Sequence, residues 1–265
     1  MSAAGRPVAV VTGAARGIGA AVAGALASAG YDLVLGDVPS PDAVEGLGYP
    51  LAGARDLAEV EERCRGLGAG VAALPCDVRS LSDTARLVDA ADGRLVAAVA
   101  VAGIIGAEGP AWELAPADLD RDLSVNLHGV ANLARAAVPR LLRAPRGRGR
   151  FVAVVSSAGE RGLPRLASYV AAKHAALGYV RALAADLGPS GVTANAVLPG
   201  GTATALLDRT AGVYGLSGAG ELARHQRLGR LLDPAEIASA VVWLCSDGAS
   251  ATTGAALHVD GGFTG

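Results

Sequence analysis

A chain of 265 residues with a formal net charge of −2, 51% apolar but only 3% aromatic, reads as one α/β domain with a core of Ala, Val and Leu. The charge balance gives no electrostatic reason to expect nucleic acid or an anionic membrane surface as partner, and no apolar run is long enough to span a bilayer. Cys64, Cys76 and Cys245 fall in no disulfide or zinc spacing and read as buried thiols of a cytoplasmic protein.

The first predicted strand, Val8–Thr12, follows almost at once with no signal sequence before it. Gly13, Gly17 and Gly19 then lead into an Ala-rich helix ending near Ala29. Strand, glycine turn and helix in that order let a pyrophosphate approach backbone N–H groups at a helix N-terminus, where the dipole favours negative charge. A second strand, Asp32–Leu35, leads to Asp37, whose carboxylate can accept from two ribose hydroxyls and would repel a 2′-phosphate, favouring NAD over NADP. Before the third strand, Gly70–Leu74, lies a Pro/Gly-rich insertion near 39–58.

Ala97–Val101 is the fourth strand, apolar throughout as a central parallel strand should be. One long helix is predicted over Pro116–Leu142, with Asn126 inside it, followed by a basic run from Arg140 to Arg150 that reads as a solvated loop. A fifth strand, Arg150–Val155, delivers Ser156 at its C-terminal end, where ligands bind in open α/β sheets. Tyr169 and Lys173, four apart with helical composition around them, share one helix face. A phenol titrates near ~10, and a neighbouring ammonium is expected to pull that value down toward proton transfer at neutral pH. Val192–Val197 is the sixth strand, before Pro199 and Gly200. Pro234–Cys245 is a helix with Asp233 as N-cap, and Ala256–Val259 is the last strand. The four histidines, His225 in the mixed stretch from Ala205 to Leu228 among them, show no metal-ligating spacing.

TGAARGIG with Asp37, CDV at Cys76–Val78, Asn126 in VNLHG, Ser156, YVAAK from Tyr169 to Lys173, and LPGGTAT from Leu198 to Thr204 stand in a recurring order and spacing. Over essentially its whole length the chain resembles the short-chain dehydrogenases/reductases. The resemblance implies a single-domain α/β fold, a Rossmann-type doubly wound parallel sheet of about seven strands with helices on both faces. It implies NAD held by Gly13, Arg16, Gly17, Ile18 and Gly19 at the pyrophosphate, by Asp37 at the ribose, and by Asp77 and Val78 at the adenine. Val101, Ala102, Gly103, Tyr169, Lys173, Pro199, Gly200, Thr202 and Thr204 carry the nicotinamide half, with the Thr202 N–H on the carboxamide and the Thr204 hydroxyl on a phosphate. The catalytic set it implies is Asn126, Ser156, Tyr169 and Lys173, with Asn126 supporting a water that relays protons from the lysine. A substrate lid near 203–228 and a homotetramer are further implications. One departure stands out: where many relatives read NNAG, this chain reads AVAG from Ala100 to Gly103.

Within the insertion, YPLAGARDLAEVEERC resembles that of the mycofactocin-coupled subgroup, in which the nicotinamide stays bound and passes electrons to a peptide-derived redox cofactor. The expected substrate is a small uncharged alcohol or carbonyl compound, met by Leu206, Leu207 and Leu216. Two alternatives stay open: an ordinary alcohol dehydrogenase or ketoreductase with freely exchanging NAD(H), and a non-catalytic NAD-binding regulator for which the AVAG departure speaks.

Overall fold

The computed structural model describes residues 5–145 and 147–264. Seven strands, β1 (Val8–Thr12), β2 (Asp32–Asp37), β3 (Val71–Pro75), β4 (Leu95–Ala100), β5 (Arg150–Val154), β6 (Thr193–Pro199) and β7 (Ala256–Val259), form one sheet in the order β3-β2-β1-β4-β5-β6-β7. Every pairing is parallel. This is the doubly wound sheet expected from the sequence. Fully parallel strands are buried on both faces, which is why every residue of β1, β5 and β6 is buried, Arg150, Thr193 and Asn195 included.

Helices α1 (Gly17–Ser28), α2 (Ala54–Gly66) and α8 (Pro234–Cys245) cover one face, where Val22, Leu26, Leu57, Val60, Ile237, Val241 and Leu244 meet Val11, Leu35 and Val99. Helices α3 (Leu81–Asp89), α4 (Pro116–Asn126), α5 (His128–Leu141) and α6 (Ala167–Leu187) cover the other, around Leu87, Leu133, Phe151 and Val180. Helix α7 (Ala205–Val213) and a 3-10 turn over Ala219–His225 stand past the end of β6. Ser80 caps α3 by accepting the Asp83 N–H, and Asp233 caps α8 in a capping box with Glu236. The three thiols are buried and free.

Two sequence expectations need correction. The helix predicted as one piece over Pro116–Leu142 breaks at Leu127, with φ −105° and ψ −58°, so that Asn126 closes α4. The break coincides with the seat of Gly129 against Val78, where an added Cβ would lie 2.7 Å from the valine Cγ2. The basic run is not a loop throughout: Arg140 lies in α5, and Arg150 is 1% exposed, opens β5 and donates to the carbonyls of Gly147, Gly149 and Ser246. Arg146 lies outside the described residues.

Candidate active site

The strand order reverses between β1 and β4, and the C-terminal strand ends open there onto a cavity of about 790 Å³, within the range of small-molecule sites. The glycine turn forms its floor. Gly13 takes φ +66°, and a Cβ there would sit 2.5 Å from the Ala102 nitrogen; one on Gly19 would sit 1.9 Å from the Gly13 carbonyl oxygen. Turn, α1 and the AVAG segment therefore close on one another through bare backbone. Small residues at Ala100 and Ala102 fit that approach, and the Val101 N–H donates to the Thr12 hydroxyl at 3.3 Å.

Asp37 ends β2 beside this turn. Its oxygens accept the N–H groups of Ala15 and Val38, both at 2.8 Å. Burial nevertheless pushes its carboxyl above the ordinary carboxylate value, with those two hydrogen bonds opposing. Arg16, Gly17, Ile18, Asp77, Val78, Gly103, Pro199, Gly200, Thr202 and Thr204 line the same cavity. The set suits a dinucleotide: a helix N-terminus free of side-chain bulk at one point and a carboxylate one strand away.

Asp77 lines the cavity as expected, and its carboxylate has a protein partner already. Its carboxylate is gripped by Arg79, which also reaches the Ala43 carbonyl at 2.7 Å. Burial alone would raise the Asp77 carboxyl, and the Arg79 hydrogen bonds outweigh it and lower it. The Thr204 hydroxyl donates to the Thr202 carbonyl and accepts the Leu207 N–H, so it caps α7; a contact from it to phosphate requires leaving that carbonyl. Leu206 and Leu207 line the cavity, while Leu216 packs with Ala211, Ala219 and Leu222 instead.

At the far end, Ser156, Tyr169 and Lys173 come together. The Ser156 hydroxyl stands beside Tyr169 and accepts the Ala158 N–H at 3.1 Å, and neighbouring Ser157 is tied to the Pro199 carbonyl at 2.8 Å. The Lys173 Nζ lies 5.7 Å from the Tyr169 ring centre and 3.5 Å from the Val154 carbonyl oxygen. Proximity to Lys173 does not lower the phenol: burial pushes Tyr169 up to about 12, with the neighbouring Ser156 hydroxyl opposing. Burial also brings Lys173 down to about 8, with Asp122 opposing. The local pair rule is overridden because both groups are almost fully removed from water.

Asn126 is wholly buried. Its Oδ1 accepts the Ile104 N–H at 3.1 Å, and its Nδ2 donates to the carbonyls of Ile104 and Asp122. A Cβ on Gly103 would lie 3.0 Å from that Oδ1 and 3.2 Å from the lysine Nζ, so the bare glycine is what brings amide and ammonium to one spot.

Two further side chains belong to the site. Tyr49, from the insertion, accepts the Ile105 N–H at 3.0 Å. Asp122 accepts the Gly106 N–H at 2.9 Å and the Ser168 hydroxyl at 2.6 Å. The loop after β4 thus hangs by three successive N–H groups on Asn126, Tyr49 and Asp122. Asp122 was visible as the residue one helical turn before Asn126; Tyr49 had no local signal beyond its place in the insertion.

A family model described as enoyl-(acyl carrier protein) reductase matches residues 13–264. The chain is 38% identical over 262 residues to cis-4-hydroxycyclohexanecarboxylate dehydrogenase of Sinomonas cyclohexanicum, covering 97% of this chain and 96% of that one. It is 33% identical over 272 residues to (-)-trans-carveol dehydrogenase of Rhodococcus erythropolis, covering 97% of each. Among solved structures, carveol dehydrogenase from Mycobacterium avium in complex with NAD superposes with a TM-score of 0.91 at 31% identity, over 98% of each chain.

Proposed function

The chain belongs to the short-chain dehydrogenase/reductase family and is an NAD-dependent oxidoreductase of alcohols and carbonyls; from that premise we propose that it oxidises a small cyclic secondary alcohol with NAD that stays bound between turnovers and is re-oxidised by mycofactocin. The observation that carries retention is the fastening of the insertion across the cavity. Arg16 donates to the Pro50 carbonyl at 2.9 Å, Tyr49 takes the Ile105 N–H, and Arg79 reaches Ala43. Each is a bond that release of the cofactor past this segment must break. The likeness of the YPLA segment to the mycofactocin-coupled subgroup supports the electron acceptor. The cyclic alcohol rests on the two named relatives and on a cavity wall built from Ile105, Leu163, Leu166, Leu206, Tyr214 and Phe263.

NAD, held at the glycine turn, Asp37 and the β4 and β6 ends, would supply the hydride acceptor and a positive charge that favours the phenolate. Ser156 holds the alcohol oxygen through its hydroxyl. Tyr169 takes the alcohol proton at its Oη as the carbon–hydrogen bond breaks. Burial outweighs Lys173 at the phenol in the protein alone; with the positive ring of NAD added, Lys173 would support the phenolate and hold the ribose, and Asn126 would steer the proton outward through water. The active form is read as a cytoplasmic homotetramer, on the family likeness and the unpaired thiols.

The test is to desalt the purified protein, release its NAD by denaturation, and measure turnover of cyclohexanols with free NAD and with an artificial electron acceptor. Near-stoichiometric NAD with turnover only through the acceptor is expected. NAD that washes out and sustains many turnovers would replace this reading with that of an ordinary exchanging dehydrogenase.

A further inference from the structure

Lys173 is the only lysine of the chain; every other cationic side chain apart from histidine is an arginine. It is 4% exposed, on α6, and its one side-chain hydrogen bond among the described residues is to the Val154 carbonyl, at the outer limit of such a bond. A buried ammonium needs a compensating anion. The groups around it are few. On α6 stands Tyr169, with its ring at 5.7 Å; from α4 come the Asn126 amide, which meets the Nζ beside Gly103, and behind that amide Asp122. Among them, the acid is Asp122.

Asp122 is itself completely buried. Burial raises its carboxyl, and the Ser168 hydroxyl, the N–H groups of Gly106 and Ala107 and the neighbouring Arg121 act in the other direction. Arg121 is bonded to Asp118 at 2.9 Å. Its arrangement is directional. Oδ2 takes the hydroxyl of Ser168, the residue immediately before Tyr169; Oδ1 takes the Gly106 N–H and lies 3.3 Å from the Asn126 Nδ2. Because the amide's NH₂ faces Asp122, its oxygen is turned to the spot shared with the Lys173 Nζ. Had the carboxylate been an apolar side chain, the NH₂ would lose one of its acceptors and the first turn of α6 its tether.

We propose that Asp122 is a positioning residue for the Tyr169–Lys173 pair, the buried anion that keeps Lys173 an ammonium while it fixes the Asn126 amide and, through Ser168, the first turn of α6. This rests on the dehydrogenase reading for its purpose, but not for its test. An opposite charge nearby favours the charged form of a group, so removing it lowers the pH at which the lysine loses its proton.

Protein grown with ¹³C-labelled lysine gives one lysine side-chain signal, that of Lys173. On the NAD-loaded protein without alcohol, its titration midpoint is expected to fall by about one pH unit or more in Asp122→Asn relative to the native chain. Asp122→Leu takes its place if the amide variant does not fold. In kinetics, Asp122→Asn is expected to lower kcat while the KM for a cyclohexanol probe stays near native, and Ser168→Ala added to it is expected to cost little more, since the two act through one contact. An unchanged lysine midpoint, or a lysine that shows no titration in either protein over the folded range, overturns the proposal and leaves the dehydrogenase reading standing. Undiminished turnover in Tyr169→Phe would do the reverse, removing that reading without moving the lysine signal.

Discussion

The Tyr49 hydroxyl accepts the Ile105 N–H at 3.0 Å, joining the insertion after β2 to the loop after β4 across 56 positions of sequence. The tyrosine is half-buried, and its hydroxyl meets the second of three successive N–H groups that have side chains as partners. Tyr49→Phe removes that acceptor and leaves the ring. A net hydrogen bond of about 1 kcal/mol predicts release of bound NAD about fivefold faster, read by following the cofactor that appears after dilution; an unchanged rate would separate the tyrosine from retention.

Tyr169→Phe deletes the proposed base but keeps the ring that packs with Leu166 and Val213. Turnover is expected to fall by about 10²- to 10⁴-fold with NAD content unaltered, measured side by side on the same preparation.

Lys173 has its ordinary value of 10.5 lowered to about 8 in the fold. Between those values the unfolded chain binds more protons than the folded one, so this group makes stability rise with pH there, and below about 8 its charge costs the fold. Without NAD, Lys173→Met should therefore be more stable than the native chain at neutral pH, by an amount on the order of 3 kcal/mol. The gap should close as pH rises through that window. Urea melts of both proteins check the sign, and the raised value of Tyr169 cancels in their difference.

Two glycines of α1 predict opposite outcomes. A Cβ on Gly19 meets the Gly13 carbonyl oxygen at 1.9 Å, whereas Gly24 has nothing within 4 Å. Gly19→Ala should cost on the order of 3 kcal/mol and abolish NAD binding. Gly24→Ala should gain about 0.5–1 kcal/mol with binding intact. Thermal melts with and without NAD decide both.

The sheet was legible because buried parallel strands leave continuous apolar runs, and the convergence of Ser156, Tyr169 and Lys173 followed from strand end and helix spacing. What depends on distant neighbours was not. Leu127 is a good helix former and carries no sign of a break; the break goes with how Gly129 seats on Val78. The direction of the Tyr169 shift followed burial, a property of the folded chain, and not the i,i+4 partner that sequence displays. Asp122 declared itself only as a helical neighbour of Asn126, and Tyr49 not even that far, since its partner is a backbone group on another loop.

A solitary lysine inside α6 also sets how the molecule meets proteolysis. A protease that cuts only after lysine has one site in the chain, 4% exposed in a helix whose neighbours are α4 and β6. Cleavage there requires the centre of the domain to open, not a loop to fray. The rate of that single cut therefore reports the opening of α6 itself, and any ligand that closes the site will be seen as a slower cut.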